Sequence, residues 1–172
     1  SLRRWRSKKH PDIADAHALG RSRGGFGTKI HLATDGQGFP LNILLSGGQA
    51  HESQYALRLL NGIGVNRKGG YLKRRGKAVL ADKGYSSQVL RSALKRRGIK
   101  VVIPYKINEK AASNGRCQIV MESYKSRNVV ERSFGILKEC RRVATRYEKT
   151  ARNYLSMVKL GCIRLFLRRL CN

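Results

Sequence analysis

Apolar and polar residues alternate along one early stretch of the chain with the two-residue period of a half-buried β-strand. In GTKIHLATD, from Gly27 to Asp35, the alternation places Ile30 and Leu32 on one face. The next residues, DGQG, are turn formers, and FPLNILL, from Phe39 to Leu45, has the composition of a second strand. Two strands joined by so short a turn predict an antiparallel hairpin.

The rest of the chain alternates amphipathic helices with short apolar runs. The sequence predicts a helix that starts at Glu52 or Ser53 and stops near Gly64, followed by a basic loop over Arg67–Lys77 and a short buried strand over Lys77–Tyr85 that ends at Asp82. A helix from Ser87 to Gly98 and a strand over Lys100–Lys106 come next. After a loop to about Glu122, the sequence predicts a long helix over Ser123–Arg142 and a last helix from Thr150 to Leu170. The order β-β-α-β-α-β-loop-α-α is typical of an α/β protein with one hairpin and at least two parallel crossovers.

This pattern divides the chain into three regions. Residues 1–23 are rich in Lys and Arg, show no sustained periodicity and predict a basic, weakly structured arm. Residues 24–150 form the predicted α/β core, and residues 151–172 form a C-terminal helix. A chain of 172 residues is long enough for one domain with a hydrophobic core.

The charge of the chain indicates its partner. Thirty-seven Lys and Arg accompany ten Asp and Glu, which gives a formal net charge of +27. Such an excess repels itself in a compact protein, and a polyanion relieves the repulsion by releasing its condensed counterions. DNA, RNA or an anionic membrane could supply that polyanion, but the sequence has no run of about 20 apolar residues for a spanning helix. Nucleic acid is therefore the expected partner, and no membrane partner is expected.

Cysteine and histidine residues give little sign of a metal site. Zinc sites usually pair their cysteines closely, whereas the spacings here are irregular and include no C-x-x-C pair. The pattern predicts reduced thiols in a cytoplasmic protein: Cys117, Cys140, Cys162 and Cys171. His31, on the first predicted strand, is expected to be a packed or surface residue rather than a ligand. No partner spacing supports a metal role for His51.

Carboxylates are rare in this chain, so their positions are informative. Asp82 directly follows the apolar run from Ala78 to Ala81, at the C-terminal end of a predicted strand. Ligands of open α/β sheets bind at that edge. The alternative is that Asp82 only caps the turn that follows, and its position alone leaves both interpretations open.

A second carboxylate, Glu131, lies on the long predicted helix. Tyr124, Arg127, Glu131 and Lys138 are spaced by three, four and seven residues, so they lie along one helical face. An Arg–Glu pair four residues apart is an ordinary surface ion pair, worth about a few tenths of a kcal/mol. That interpretation accounts for Arg127 and Glu131 but gives no reason for Tyr124 and Lys138 to share the stripe.

The stripe is written YKSRNVVERSFGILK, and it resembles the Y-R-E-K signature of DDE transposases in the insertion-sequence superfamily numbered four and five. The resemblance implies that Glu131 is a catalytic metal ligand, and that Tyr124, Arg127 and Lys138 contact the DNA end or orient that glutamate. LADKGYSS resembles the family's second-aspartate motif, which implies that Asp82 is a second catalytic metal ligand. Mg²⁺ or Mn²⁺ is the implied cofactor, because two such ions about 4 Å apart can activate the attacking oxygen of a phosphoryl transfer and stabilise the leaving one.

The resemblance extends from about Gly20 to the end of the chain and implies a ribonuclease-H-like core that lacks its first strand. In the family that strand carries the first catalytic aspartate. Asp12 and Asp15 lie in HPDIADAH, which lacks the apolar run of a central strand, and Asp35 lies in a turn, where Asp is common. We therefore expect a chain truncated at its start, or half of a split gene, that is inactive or nearly so by itself.

The sequence thus predicts the catalytic domain of a bacterial DNA transposase, cytoplasmic and associated with the nucleoid, whose partners are transposon ends and target DNA. Transposases of this kind often act as dimers, which makes a homodimer a further expectation. Two alternatives stay open: a nucleic-acid-binding protein that is not an enzyme, and a ribonuclease-H-like nuclease without strand transfer. The clusters expected to contact the DNA backbone are Arg3–Lys9, Arg67–Lys77, Lys95–Lys100 and Lys138–Arg146.

Overall fold

The computed structural model describes residues 17–66, 72–73, 76–106 and 127–171. Its strands are β1 (Gly20–Ser22), β2 (Gly25–Thr34), β3 (Pro40–Gly47), β4 (Val65–Asn66), β5 (Leu72–Lys73), β6 (Ala78–Leu80) and β7 (Lys100–Val102). Its helices are α1 (Glu52–Asn61), α2 (Gln88–Arg96), α3 (Asn128–Lys138), α4 (Arg141–Ala144) and α5 (Ala151–Leu170), and a single 3-10 turn spans Lys83–Tyr85. The predicted mixture of helices and strands is confirmed.

The two longest strands form the predicted antiparallel hairpin. β2 and β3 pair along most of their length, with a shift of register after Ala33. The turn between them is held by Asp35, whose Oδ1 accepts hydrogen bonds from the backbone N–H groups of Gln37 and Phe39 at 2.9 Å each. Asp35 therefore serves the turn, as its place in the sequence predicts.

A short strand precedes the hairpin at the end of the predicted basic arm, whose residues 1–16 lie outside the described residues. Within the described part of that region, β1 pairs antiparallel with the start of β2, from Gly20↔Gly27 to Ser22↔Gly25. Gly25 has a φ of 103°, a conformation that favours glycine, and it helps the chain to reverse over two intervening residues. A three-residue strand without apolar alternation gives no periodic signal, so the sequence pattern could not reveal it.

The remaining strands are short and lie in separate sheets. β6 and β7 pair in parallel with α2 as the crossover, and β4 pairs with β5, which lies inside the predicted basic loop. The described ranges thus contain one parallel pair, where the sequence predicted at least two parallel crossovers. Helix α1 packs against β2, β3 and the 3-10 turn after β6. Within the part of the chain that the structure describes, side-chain packing rather than a shared ladder of backbone hydrogen bonds joins the hairpin to the β6–β7 unit.

Both faces of the hairpin are covered. On one face, Leu32 and Leu45 belong to the larger apolar cluster, whose other buried members are Ala18, Leu137, Val143, Ala151, Tyr154, Val158, Cys162 and Leu165. On the other face, His31 lies against α1 and the 3-10 turn. A smaller cluster joins α1 to α2 and the end of β7 through Ala56, Leu90, Leu94 and Ile103. Burial of these side chains supplies the main stabilising free energy of the fold.

The helix that carries the predicted signature ends earlier than expected, and residues 123–126 at its predicted start lie outside the described residues. The sequence predicts one helix over Ser123–Arg142, but α3 ends at Lys138 and the chain becomes extended at Cys140 before α4 begins. Leu137 and Val143 are both buried in the larger cluster, although they would point roughly 120° apart on one continuous helix. The break allows both side chains to reach the same core.

The last helix begins as the sequence predicts. The Thr150 hydroxyl accepts a hydrogen bond from the Asn153 N–H at 3.3 Å and caps α5. Cys162 is buried within α5, and burial raises the pKa of its thiol to about 11. The three described cysteines form no disulfide, and Cys171 is exposed. No helix in the described ranges combines the length and apolar composition that crossing a membrane requires.

Candidate functional site

Asp82 lies just beyond the end of β6. That strand spans only Ala78–Leu80 and is half-buried, because its described partner is the equally short β7; it is shorter and less buried than predicted. The Asp82 backbone is extended, and its side chain makes no capping hydrogen bond to the 3-10 turn that follows. The turn is closed by the backbone, since the N–H of Tyr85 donates to the Asp82 carbonyl at 3.0 Å. The interpretation of Asp82 as a mere turn cap is therefore wrong.

The Asp82 carboxylate is instead directed towards the start of α3. Arg127, at the N-terminal cap position of α3, places its Nη1 atom 3.8 Å from Asp82 Oδ2 and its Nη2 atom 2.6 Å from Glu131 Oε1. One guanidinium therefore bridges two carboxylates that are distant in the sequence. This arrangement differs from an ordinary Arg–Glu surface pair, because Arg127 also contacts a carboxylate from a different element of the fold.

The bridge makes the approach of two acidic side chains electrostatically acceptable. Neighbouring carboxylates repel each other unless a positive charge lies between them, and Arg127 provides that charge. Glu131 also lies in the first turn of α3, where the helix dipole favours a negative group. The side chains of Asp82 and Glu131 are 55% and 51% exposed, so both can be reached from solvent.

These carboxylates suit a hard divalent cation. Mg²⁺ and Mn²⁺ take carboxylate oxygens and complete their coordination with water and substrate phosphates. Asp82 and Glu131 already approach the same positive group, which fits ligands of one cation. In the part of the chain that the structure describes, no cluster of three or more His, Cys, Asp or Glu could hold a metal ion. The described residues therefore bring together two candidate carboxylate ligands and no complete protein cage.

The other two signature residues are not brought into this cluster by any described contact. Lys138 is exposed in the last turn of α3, roughly 10 Å along the helix axis from Glu131. Tyr124 lies outside the described residues. The structure thus brings together Asp82, Arg127 and Glu131 from the sequence-predicted set.

A second ion pair borders the Asp82 turn. Lys29 on β2 donates to Glu52 Oε1 at 2.6 Å and to the Ala50 carbonyl at 2.8 Å. The Glu52 carboxylate lies close to Gly84 in the turn after Asp82: a Cβ atom placed on Gly84 would be 3.5 Å from Glu52 Oε2. Burial alone would raise the pKa of Glu52, but the hydrogen bond and charge of Lys29 lower it below its usual value. The sequence assigned Glu52 only to the start of a helix, where the neighbouring His51 side chain forms the N-terminal cap.

His31 is packed, as the sequence predicts, and it is 1% exposed. Its Nδ1 atom lies 3.1 Å from the Tyr85 hydroxyl, its Nε2 atom lies 2.8 Å from Ser46 Oγ, and its ring stacks on Tyr55. Burial lowers the pKa of His31 to about 4, and it raises the pKa of Tyr85 to about 12 with the help of the charges of Glu52 and Asp82. Sequence reasoning did not identify Tyr85, although this residue follows Asp82 by three positions in ADKGY.

The basic clusters differ in how much they present to solvent. The Lys95–Lys100 segment at the end of α2 is almost entirely exposed. Arg146, at the end of the Lys138–Arg146 cluster, is used inside the fold, because its guanidinium bonds to the Thr28 hydroxyl and to the Lys149 carbonyl. Residues 3–9 lie outside the described part of the chain. An exposed basic segment is available to a polyanion, whereas Arg146 is committed to the β2 contact.

Comparison with known proteins identifies the relatives of this chain. Residues 4–166 match the family model described as the transposase DDE domain. A protein of Burkholderia cepacia, named as a transposase for insertion sequence element IS402, is 35% identical over 162 residues, which cover 93% of this chain and 69% of that protein. A Brucella ovis protein, named as a transposase for insertion sequence element IS6501, is 32% identical over 142 residues, covering 82% of this chain and 98% of that protein. No solved structure matches the chain.

Proposed function

The chain belongs to the transposase DDE-domain family, and from this premise we propose that it supplies catalytic carboxylates for metal-dependent cleavage and strand transfer at insertion-sequence ends. The observation that carries the proposal is the approach of Asp82 and Glu131 to one guanidinium, that of Arg127. Both carboxylates also occupy motifs that resemble the catalytic motifs of the family. Two independent features, sequence motif and spatial convergence, therefore select the same pair.

Asp82 and Glu131 are the proposed catalytic residues and metal ligands. A bound Mg²⁺ or Mn²⁺ would supply Lewis-acid activation of the phosphate and of the attacking hydroxyl. The chain itself presents the two carboxylates from a strand end and from a helix start, on a surface that is open to solvent. Arg127 keeps them close together despite their like charge.

Arg127, Lys138 and Tyr124 are the residues proposed to handle the DNA end. A guanidinium matches phosphate oxygens as well as it matches carboxylate oxygens. Arg127 can therefore exchange one kind of oxygen partner for the other when DNA binds. Lys138 offers an exposed ammonium further along α3, which suits a backbone phosphate. The role of Tyr124 rests on the motif alone.

A ribonuclease-H-like core is the proposed architecture around this site. The order β2, β3, α1, β6, α2 and β7 fits such a core, in which a hairpin is followed by a parallel crossover. Helix α3, which carries Glu131, packs against β2 from the face opposite to α1. Helices on both faces of the sheet are what this class of fold requires.

The test is metal-dependent binding and cleavage of a labelled insertion-sequence end by the wild type and by Asp82→Asn and Glu131→Gln variants. We expect Mn²⁺ to strengthen end binding roughly threefold in the wild type and in neither of these two variants, because the ion is shared between the carboxylates and a phosphate. Glu139→Gln is the matched control, since Glu139 also lies at an end of α3 but pairs with Arg168. A metal response that Glu139→Gln abolishes as completely as Glu131→Gln would contradict the assignment.

A target plasmid in the same reaction separates the alternatives. Joined products support strand transfer, whereas cuts without joining support a nuclease. DNA binding that is insensitive to metal and to both active-site substitutions supports a non-enzymatic binding protein. Robust cleavage that Asp82→Asn abolishes would contradict the expectation that this chain alone is inactive, and it would reveal a further carboxylate ligand.

A further inference from the structure

The two proposed metal ligands depend on parts of the fold that share no backbone ladder in the described ranges. Asp82 follows β6, which pairs with β7. Glu131 lies on α3, which is tied to the hairpin by Ser133, whose Oγ donates to the Gly38 carbonyl at 2.8 Å. A shift of the β6 unit against the hairpin therefore changes the distance between the two carboxylates.

His31 and Tyr85 connect these two parts of the fold. His31 belongs to β2 of the hairpin, and Tyr85 ends the 3-10 turn that begins after Asp82. The distance from His31 Nδ1 to the Tyr85 hydroxyl is 3.1 Å, and the opposite ring nitrogen lies 2.8 Å from Ser46 Oγ on β3. The imidazole also stacks on Tyr55 of α1 with ring centroids 4.6 Å apart. The ring is therefore fixed by partners from three elements.

One arrangement of protons satisfies every member of this chain of hydrogen bonds. Ser46 Oγ lies 3.3 Å from the Gly47 carbonyl, which can only accept. When Ser46 donates to that carbonyl, the His31 Nε2–H donates to Ser46, and the Tyr85 O–H donates to His31 Nδ1. This arrangement requires a neutral histidine and a protonated tyrosine. Burial favours both of these forms.

We propose that His31 and Tyr85 are a positioning pair that fixes the distance between the Asp82 and Glu131 carboxylates, a role that rests on the proposed function. Tyr85 acts through both its backbone and its side chain. Its backbone N–H holds the Asp82 carbonyl at 3.0 Å, and its hydroxyl is anchored on the hairpin by His31. The pair thereby couples the turn that carries one carboxylate to the sheet that supports the helix carrying the other.

The first test measures the turn itself, without metal or DNA. Tyr85→Phe deletes only the hydroxyl and leaves the backbone N–H in place. We expect hydrogen exchange in a peptide spanning residues 82–86 to accelerate roughly fivefold, the factor for one hydrogen bond of ordinary strength. Tyr154→Phe is the matched control, because Tyr154 also loses a buried hydroxyl, which donates to the Val143 carbonyl at 2.7 Å. Ser46→Ala, which breaks the chain at its far end, is expected to accelerate the same peptide less.

The second test measures the affinity for Mn²⁺ by electron paramagnetic resonance, with Asp82→Asn defining the signal that depends on the site. We expect Tyr85→Phe to weaken that binding about threefold to fivefold, the factor for one ordinary hydrogen bond, and Tyr154→Phe to leave it within about twofold. Unchanged exchange at residues 82–86, or faster exchange with unchanged Mn²⁺ affinity, would overturn the positioning role. Absence of Asp82-dependent Mn²⁺ binding in the wild type is a separate result, which would overturn the proposed function and the positioning role with it.

Discussion

His31 is uncharged in the folded chain at neutral pH, because burial lowers its pKa from 6.5 to about 4. The unfolded chain binds a proton at this residue below about pH 6.5, and the folded chain does not until about pH 4. The unfolded state therefore binds more protons in that window, and stability rises with pH across it. Acid destabilises the fold at this position because it protonates His31, and the hydrogen bonds to Ser46 and Tyr85 depend on the neutral imidazole.

We predict that the free energy of unfolding falls by up to about 3 kcal/mol from His31 alone as the pH is lowered from 6.5 to 4, the equivalent of the shift in its pKa. Urea denaturation at intervals across this range measures the fall. His31→Gln removes the titrating group and should flatten the pH dependence in the same window, whatever its effect on absolute stability. An equal slope in both proteins would contradict the prediction.

The two proposed catalytic carboxylates should matter little to stability. Asp82 and Glu131 are about half exposed, and exposed ion pairs typically contribute between 0 and about 1 kcal/mol. We expect Asp82→Asn and Glu131→Gln to change the free energy of unfolding by less than about 1 kcal/mol while removing the binding of Mn²⁺. Denaturant unfolding at neutral pH is the measurement. A loss of several kcal/mol in either variant would indicate a structural role instead.

Of the candidate site, the sequence could predict the members whose motifs have regular spacing. Asp82 follows an apolar run at a strand end, and Glu131 shares a helical face with Arg127, so both were identifiable without coordinates. The link between His31 and Tyr85 could not be predicted, because it joins residues that share no periodic relation and meet only through the packing of α1. Local patterns identify which residues lie at an edge, whereas the tertiary fold decides which edges meet.

At the scale of elements, one buried hydroxyl adds a hydrogen bond to the apolar packing of α3 against the hairpin. Ser133 is fully buried, and its Oγ donates to the Gly38 carbonyl at 2.8 Å. We predict that Ser133→Ala lowers the free energy of unfolding by about 1 to 2 kcal/mol, because the carbonyl loses its donor in a buried place. The measurement is urea denaturation at neutral pH.

Ser156→Ala on α5 is the matched control for that prediction. The Ser156 hydroxyl donates to the Arg152 carbonyl at 3.1 Å, but it is exposed to solvent. Water can replace its hydrogen bond, so a change below about 0.5 kcal/mol is expected. An equal decrease in the free energy of unfolding of the two variants would show that the hydrogen bond between α3 and the hairpin turn contributes no more to stability than an exposed one.

Element prediction succeeded where a pattern was long and failed where a tertiary contact decided the outcome. The β2–β3 hairpin and the start of α5 were predictable, since alternation and a capping threonine mark them. The end of α3 was not predictable. The chain becomes extended at Cys140 because Leu137 and Val143 are both buried in the same core, and no local sequence preference marks that position. The three-residue β1 was equally hidden, since its pairing uses backbone groups that every sequence possesses.

At the scale of the whole molecule, charge should control how the chain meets DNA. A net charge of +27 on 172 residues makes contacts with phosphate the expected source of affinity. If about six to ten phosphates are neutralised, raising the salt concentration from 50 to 200 mM weakens binding by roughly 10³- to 10⁵-fold. Fluorescence anisotropy with a labelled duplex measures the slope of affinity against salt.

A scrambled duplex of the same length is the control for that measurement. We expect it to show nearly the same salt slope with a lower absolute affinity, because phosphate contacts carry no sequence information. A shallow slope for both duplexes would contradict the electrostatic account. A steep slope for the insertion-sequence end alone would instead point to contacts formed only in the specific complex.

The C-terminal helix also offers an optical probe of its own opening. Cys171 at its end is exposed, whereas Cys162, less than three helical turns earlier, is buried and keeps its proton well above neutral pH. A thiol-reactive dye should therefore label Cys171 at the rate of a free thiol and reach Cys162 only when α5 detaches from the core. In a chain whose Cys117 and Cys140 are replaced by Ser, the slow labelling phase measures the detachment of α5 from the core, and a slower phase in the presence of DNA would show that DNA binding stabilises this contact.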